Sequence, residues 1–306
     1  MKKRTPTRFF LSNAAYAPIP QERDLHLVCG AGGTRAILGC TGAIFGMYAQ
    51  GVQTWGSIGG ISGGAMPALL YAAGISPKQM LRLSLTIDFG KLLLAKRHVL
   101  YVLRKYLQQG AGQKMPRTAI HCSKDLIKYL DKLVPVWPDK FWTMAITDIP
   151  GKGRCQVLFT KQGVYIYTKN GDCTQVSTIP APVGMAIAAS CAIPGVIDHV
   201  EYLGMHLYDG MLSWDGRTPA GIVNKHYGAA YEDIVAVDVG GMQRAFPGLQ
   251  DRILAYWCDN TCPPDTHMRA EQWEALGVKV VRANVSHFSS LKMSPTRKQR
   301  STALRN

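Results

Sequence analysis

Apolar and polar positions change their spacing several times along this chain of 306 residues, and each change marks an element. Residues 25–29 (LHLVC) form a short apolar run that ends in glycine, the pattern of a buried strand. Residues 30–35 (GAGGTR) predict a tight loop, and residues 36–50, small and apolar, a helix packed closely on a sheet. Residues 52–58 (VQTWGSI) predict a second strand, and 59–64 a second glycine turn. Residues 65–73 (AMPALLYAA) predict a helix with Pro67 in its first turn, where proline is tolerated, and Gly74 as its stop. Strand, glycine turn and helix thus occur twice in succession, which predicts an α/β fold with a mostly parallel sheet.

The later pattern is less regular. Ser76-Pro77 opens another helix, and residues 91–108 predict a further one. Residues 142–167 predict short strands separated by Gly151, Gly153 and Gly163. Residues 183–192 (VGMAIAASCA) predict a buried helix ended by Pro194. Residues 206–209 (HLYD), 234–239 (IVAVDV) and 278–281 (VKVV) predict strands. We find neither an internal repeat nor a linker. The expected organisation is a basic arm over 1–24, one domain over 25–286 and a basic tail over 287–306.

Composition narrows the class. With 47% hydrophobic and 18% charged residues, the chain can bury a sizeable core and is not of the disordered type. No apolar run approaches the roughly 20 residues that span a bilayer. The arm's apolar run, Phe9-Phe10-Leu11, is too short for a signal-peptide core. The formal net charge of +15 favours polyanions without choosing among them. The eight cysteines lack the spacing of a disulfide framework, which predicts folding in a reducing compartment. Cys258, Cys262 and His267 lack a second ligand pair, so no zinc site is expected there.

The two glycine turns carry the candidate chemistry. The first matches only two glycines of a dinucleotide fingerprint, with Arg35 at the place of the third, and no acidic residue follows at the expected distance. Successive backbone N–H groups in such a turn also suit an oxyanion. The second turn holds a G-x-S-x-G pentad, Gly60 to Gly64, centred on Ser62. Strand, turn and helix around it fit a nucleophile elbow. A serine needs a base. One reading recruits Asp238 with His267 or His287, although the elbow comes early for an ordinary α/β-hydrolase. The other recruits a carboxylate, Asp209 in Tyr208-Asp209-Gly210, with Asp215 as its rival. A lone Asp-Gly is otherwise simply a turn.

In order and spacing, these three pieces resemble the patatin-like phospholipase family: the loop Gly30 to Arg35, the pentad around Ser62, and Asp209-Gly210-Met211. The segment 188–194 (AASCAIP) resembles the family's small-residue helix before a proline. Departures are Ala31 and Ala36 in the loop, Met211 where the family has Gly or Ala, and a missing Asn-x-Pro, with Asp215 near its place. The resemblance implies an α/β three-layer sandwich with a central mostly parallel sheet. It implies a dyad of Ser62 and Asp209, with Gly60 and Gly64 framing the elbow and Gly210 and Met211 completing the aspartate motif. It also implies an oxyanion loop through Gly32, Gly33, Thr34 and Arg35, and acyl-ester hydrolysis with no metal and no other cofactor. Arg35 orders that loop, draws a phosphate or makes a salt bridge at the helix start. His199 and His206, which flank the aspartate motif, are assigned structural roles.

Residues 91–108 also carry Lys96, Arg97, Arg104 and Lys105 among apolar residues, and no acid lies between Asp88 and Asp125. A helix of this kind is either a core helix with a solvated basic edge or one that lies on an anionic membrane. The tail adds Lys292, Arg297, Lys298, Arg300 and Arg305 with no acid after Glu274. The expected partner is a phospholipid or lysophospholipid at an anionic membrane surface. Nucleic acid is not expected, since no binding motif accompanies the charge. Homo-oligomers and a regulatory ligand stay open. The expected location is cytoplasmic or peripheral to a membrane, with secretion as an effector open. The rival functions are a lipid- or nucleotide-binding regulator on the same fold, and a Ser-His-Asp esterase.

Overall fold

A computed structural model describes residues 24–109, 115–240, 268–283, 285 and 296. Nearly all of the expected N-terminal arm and of the C-terminal tail lie outside the described residues, as do Cys258, Cys262, His267 and His287. The first two strand–turn–helix units form as the pattern predicts. They are β1 (His26–Cys29) with α1 (Thr34–Ala49), and β2 (Ser57–Gly60) with α2 (Ala65–Ala72). The second strand sits later than the predicted 52–58 because its ladder with β1 starts at Ser57, His26 opposite Ser57 and Cys29 opposite Gly60, with the Gly56 N–H donating to the Leu25 carbonyl just before it. α3 (Pro77–Thr86) starts with a capping box: the Ser76 hydroxyl accepts from Gln79 N, and the Gln79 side chain reaches back to Ser76 N.

After α4 (Phe89–Leu92), β3 (Leu94–Ala95), α5 (Val99–Gln108), β4 (His121–Cys122) and α6 (Lys124–Leu133), the chain enters the long strands β5 (Phe141–Ile149) and β6 (Gly153–Thr160). Next come β7 (Gly163–Tyr167), β8 (Cys173–Ser177), α7 (Val183–Ser190), β9 (Val200–Tyr202) and β10 (Met205–Asp209). The last described elements are α8 (Ala220–Tyr227), β11 (Ile234–Asp238), α9 (Ala270–Ala275) and β12 (Lys279–Arg282). The main sheet runs β12-β11-β1-β2-β5-β6-β7-β8. From β12 to β5 the pairings are parallel, and from β5 to β8 antiparallel.

Alternation along the strands builds the layers. Leu27, Cys29, Phe141, Ala145, Val235 and Val237 face one core, shared with α1, α2, α6 and α7. Val28, Trp142, Met144 and Ala236 face the other, shared with α8 and α9. Both faces are covered, which is why these strands are apolar at nearly every position. The architecture is an α/β sandwich of three layers.

One prediction fails. The single helix over 91–108 is instead two helices with β3 between them. Leu94 and Ala95 pair with Cys122 and His121. The N–H groups of Lys96 and Arg97 both donate to the Ile120 carbonyl, at 2.8 and 3.3 Å. A cross-chain ladder therefore satisfies backbone that an α-helix would have satisfied internally. Lys96 and Arg97 stand outside the helix, and Arg97 donates to Asp198 at 2.8 Å and to the Ala119 carbonyl at 3.0 Å. Arg104 and Lys105 do lie on α5, whose outer face also exposes Leu100, Tyr101 and Leu107.

Candidate active site

Two strand ends meet head-on at this site. β2 lies alongside the first half of β5, with Ile58 opposite Phe141 and Gly60 opposite Thr143. Where β2 stops, β10 takes over the same edge of β5 from the opposite direction, with Asp209 opposite Ala145. The residues leaving the two strands, Ser62 and Asp209, therefore converge. Gly210 fits this junction because a Cβ there would lie 2.3 Å from the Met144 carbonyl oxygen and 3.0 Å from Ile61 Cγ2.

Ser62 carries the strain expected of an elbow. Its φ is +52°, in the left-handed region that L-residues avoid. The following residues, Ser62–Gly64, form one turn of 3-10 helix leading into α2. The Ser62 N–H donates to the Ser190 hydroxyl at 3.0 Å, and that hydroxyl donates to the Met144 carbonyl at 2.7 Å. Ser190, at the end of α7, thus ties the elbow to β5. Its place in a small-residue helix was legible in the sequence, but this hydrogen-bonding role was not, because nothing local pairs residue 190 with residue 62.

The two glycine turns lie backbone against backbone at the C-terminal ends of the parallel strands. A Cβ on Gly63 would sit 2.0 Å from the Gly33 carbonyl oxygen, and one on Gly64 would sit 2.3 Å from that of Gly30. Gly60 ends β2, and its carbonyl accepts from the Thr143 hydroxyl at 2.8 Å. Gly33 has φ +56° and ψ −137°, a conformation open essentially to glycine alone. Gly30 N donates to the Val237 carbonyl at 3.0 Å and Ala31 N to the Arg217 carbonyl at 2.7 Å. The N–H groups of Gly32 and Gly33 donate to no acceptor among the described residues. Thr34 is buried at the start of α1.

Arg35 is turned into the protein. Its side chain is buried, and Nε donates to the Val285 carbonyl at 3.1 Å. Burial, with Arg217 beside it, lowers its pKa, while Asp238 acts in the opposite sense. Asp238 accepts from Arg217 at 3.2 Å, and Arg217 also bonds the Gly240 carbonyl. Asp238, considered above as a partner for a histidine, is therefore engaged in fastening the loop side of the site. Arg217 went unnoticed in the sequence, since a lone arginine after a glycine carries no signal.

Asp209 is fully buried. Its Oδ1 accepts from Met211 N at 2.9 Å, which gives Met211 a backbone role that does not depend on its side chain. Burial pushes the carboxyl up to about 7, against the opposing effects of the Met211 N–H and the Ser62 hydroxyl. The Ser62 hydroxyl is thus close enough to favour the carboxylate, yet Oδ2 has no well-aligned donor. The pair is in loose contact, without a well-aligned hydrogen bond. Asp215 is buried as well, and its carboxyl is raised by burial and lowered in part by Gln156 and the Ile222 N–H. Its oxygens lie against Gly221, where a Cβ would approach Oδ1 to 2.7 Å, so it serves α8 and not the elbow.

Fold and site together define an α/β sandwich that opens its strand ends on a strained serine and a buried carboxylate. The sequence matches no protein-family model and no curated relative. Among solved structures, the chain is similar to VipD from Legionella pneumophila, with a TM-score of 0.50 and 15% identity, covering 92% of this chain and 65% of VipD. It also aligns with the type III effector protein ExoU at a TM-score of 0.38 and 13% identity, covering 92% of this chain and 51% of ExoU. The chain thus spans less than two thirds of either protein. The likeness to VipD establishes the fold, which is patatin-like.

Proposed function

We propose that this chain is a patatin-like lipid acyl hydrolase of phospholipase A or lysophospholipase type, working through Ser62 and Asp209. The observation that carries the reading is the convergence of Ser62, held at φ +52°, with the buried Asp209 at the meeting of β2 and β10. In the first step Ser62 Oγ attacks the ester carbonyl carbon while its proton passes to the Asp209 carboxylate. The carbonyl oxygen takes the electron pair and is held by the N–H groups of Gly32 and Gly33. Collapse of the tetrahedral intermediate expels the lyso-lipid or glycerol oxygen, which takes the proton from Asp209, and leaves an acyl-serine. Asp209 then accepts a proton from water, whose oxygen attacks the acyl carbon; fatty acid leaves and the proton returns to Ser62. Arg35 and Arg217 position the loop and touch no reacting atom. No histidine is required.

The substrate is met at an anionic membrane surface. Among the described residues no helix is long and apolar enough to cross a membrane. The outer face of α5 offers Leu100, Tyr101 and Leu107 with Arg104 and Lys105, a combination suited to lie in the headgroup region. The test is fatty-acid release from anionic phospholipid and lysophospholipid vesicles by the full chain. Release is expected from the wild type and not from Ser62→Ala; release that survives the substitution would overturn the reading. Failure of a fluorophosphonate to label Ser62 would favour instead a binding protein on the same fold.

A further inference from the structure

β9 and β10 form an antiparallel hairpin in which His206 lies directly opposite Glu201. His199, two residues before Glu201, falls on the same face, because side chains two apart along extended chain point the same way. The register therefore gathers two imidazoles and a carboxylate in one cluster. His199 Nε2 lies 3.4 Å from Glu201 Oε1, and His206 Nδ1 lies 3.7 Å from the same oxygen. One ligand atom from each of the three residues falls within 4.8 Å of the other two. A tetrahedral ion with bonds of roughly 2.0–2.2 Å sets ligand-to-ligand edges of about 3.3–3.6 Å. The two contacts to Glu201 are close to that spacing before any ion is added, while the two imidazole nitrogens lie within 4.8 Å of each other.

The hydrogen bonding is incomplete at His206. Its Nδ1, which faces Glu201, is shielded from solvent and has no hydrogen-bond partner, whereas His199 meets Glu201 through Nε2 at 3.4 Å and leaves its other nitrogen, Nδ1, without one. Buried polar atoms without partners are uncommon and call for an explanation. The imidazole rings stand edge to face at 4.8 Å, so they are neighbours without bonding each other.

We infer that His199, Glu201 and His206 form a binding site for a divalent transition-metal ion of the Zn2+ type, with water at a fourth position. Two imidazole nitrogens and one carboxylate oxygen suit zinc and its neighbours and exclude the oxygen-seeking Ca2+ and Mg2+. Arg117 faces the cluster and opposes a cation there, while Glu201 supplies the compensating charge. The site lies on the hairpin that ends in Asp209, three residues after His206, so a bound ion clasps β9 to β10 behind that carboxyl. The inference stands on the cluster alone and does not depend on the hydrolase reading. It gives the two histidines, assigned only structural roles by their sequence, a ligating one.

The test uses the full chain, freed of metal by a chelator and dialysed. Co2+ is titrated in and followed by visible absorption; Zn2+ binding is followed by calorimetry and by the melting midpoint. Wild type is expected to bind Co2+ with a tetrahedral nitrogen–oxygen spectrum, free of thiolate charge-transfer bands. Glu201→Gln and His206→Ala should each weaken that binding by at least about tenfold and remove the Zn2+-induced rise in midpoint. Arg117→Gln should tighten it. Glu201 is 73% exposed, so its variant is expected to melt like wild type without metal and decides the matter even if His206→Ala fails to fold. A Co2+ spectrum dominated by thiolate, unchanged binding in Glu201→Gln, or no bound ion would each overturn the inference.

Discussion

Replacing Asp209 by Asn should make the protein more stable at neutral pH while abolishing the proposed hydrolysis. The carboxyl is wholly buried, and its pKa stands at about 7 against an ordinary value of 3.8. Between those values the folded state holds a proton that the unfolded chain has released. The unfolded state therefore binds fewer protons, and stability falls as pH rises through the window. The gap corresponds to a loss of about 4 kcal/mol between pH 4 and pH 8, as an upper bound. Asn cannot titrate, and its Oδ1 can still accept from Met211 N. Its amide meets the place where Oδ2 has no aligned donor, which costs about 1–2 kcal/mol. The net gain at pH 8 is then about 2 kcal/mol, and the advantage should shrink steadily toward pH 4. Urea unfolding of both proteins at a series of pH values measures it. The base must be ionised to act, so kcat/KM of the wild type should rise with pH through about 7. Stability curves that run parallel from pH 5 to pH 8 would refute the reasoning, for they would mean that Asp209 ionises as an ordinary exposed carboxyl.

Three further outcomes follow from the same geometry. Ser62→Gly and Ser62→Ala should both be inactive, yet the glycine variant should be the more stable by about 1 kcal/mol, because alanine keeps the strain of a left-handed residue; equal melting midpoints would deny that the elbow is strained. Ser190→Ala removes the acceptor of Ser62 N and the donor to Met144 O, so it should cost about 2 kcal/mol of stability and lower kcat more than it changes KM, as read by calorimetry and steady-state kinetics. Replacing Arg104 and Lys105 together by Ala should weaken cosedimentation with anionic vesicles by about 1 kcal/mol per residue and leave neutral vesicles unaffected, whereas Lys96→Ala and Arg97→Ala, off the helix, should matter less.

The failed helix over 91–108 shows where pattern reading stops. Residues 91–95 (KLLLA) are as apolar as a helix turn and as a buried strand, and their own sequence does not decide between them. The decision comes from the backbone at 120–122, which offers carbonyls and N–H groups to the chain after Leu93. Arg97 misled for the same reason: its partner Asp198 is a hundred residues away in sequence.

Local chemistry determined the parts that depend on a few adjacent residues. Glycines packed around Ser62 announced an elbow, and successive strand–turn–helix units announced a parallel sheet. What only the tertiary structure decided is which carboxylate lies next to the serine. Asp209, Asp215 and Asp238 all follow or precede turns, and all three lie in or beside strands or loops of the same sheet. β5 separates them: it gives one stretch of its edge to β2 and the next to β10, so Ser62 faces Asp209, while Asp238 is held by Arg217 and Asp215 is packed against α8. Burial then raises the chosen carboxyl toward neutrality, since charge left without water around it is costly. A hydrophobic pattern fixes which residues are inside, but a pKa and a pairing depend on distances between segments far apart in the chain, and those exist only once the sheet is assembled.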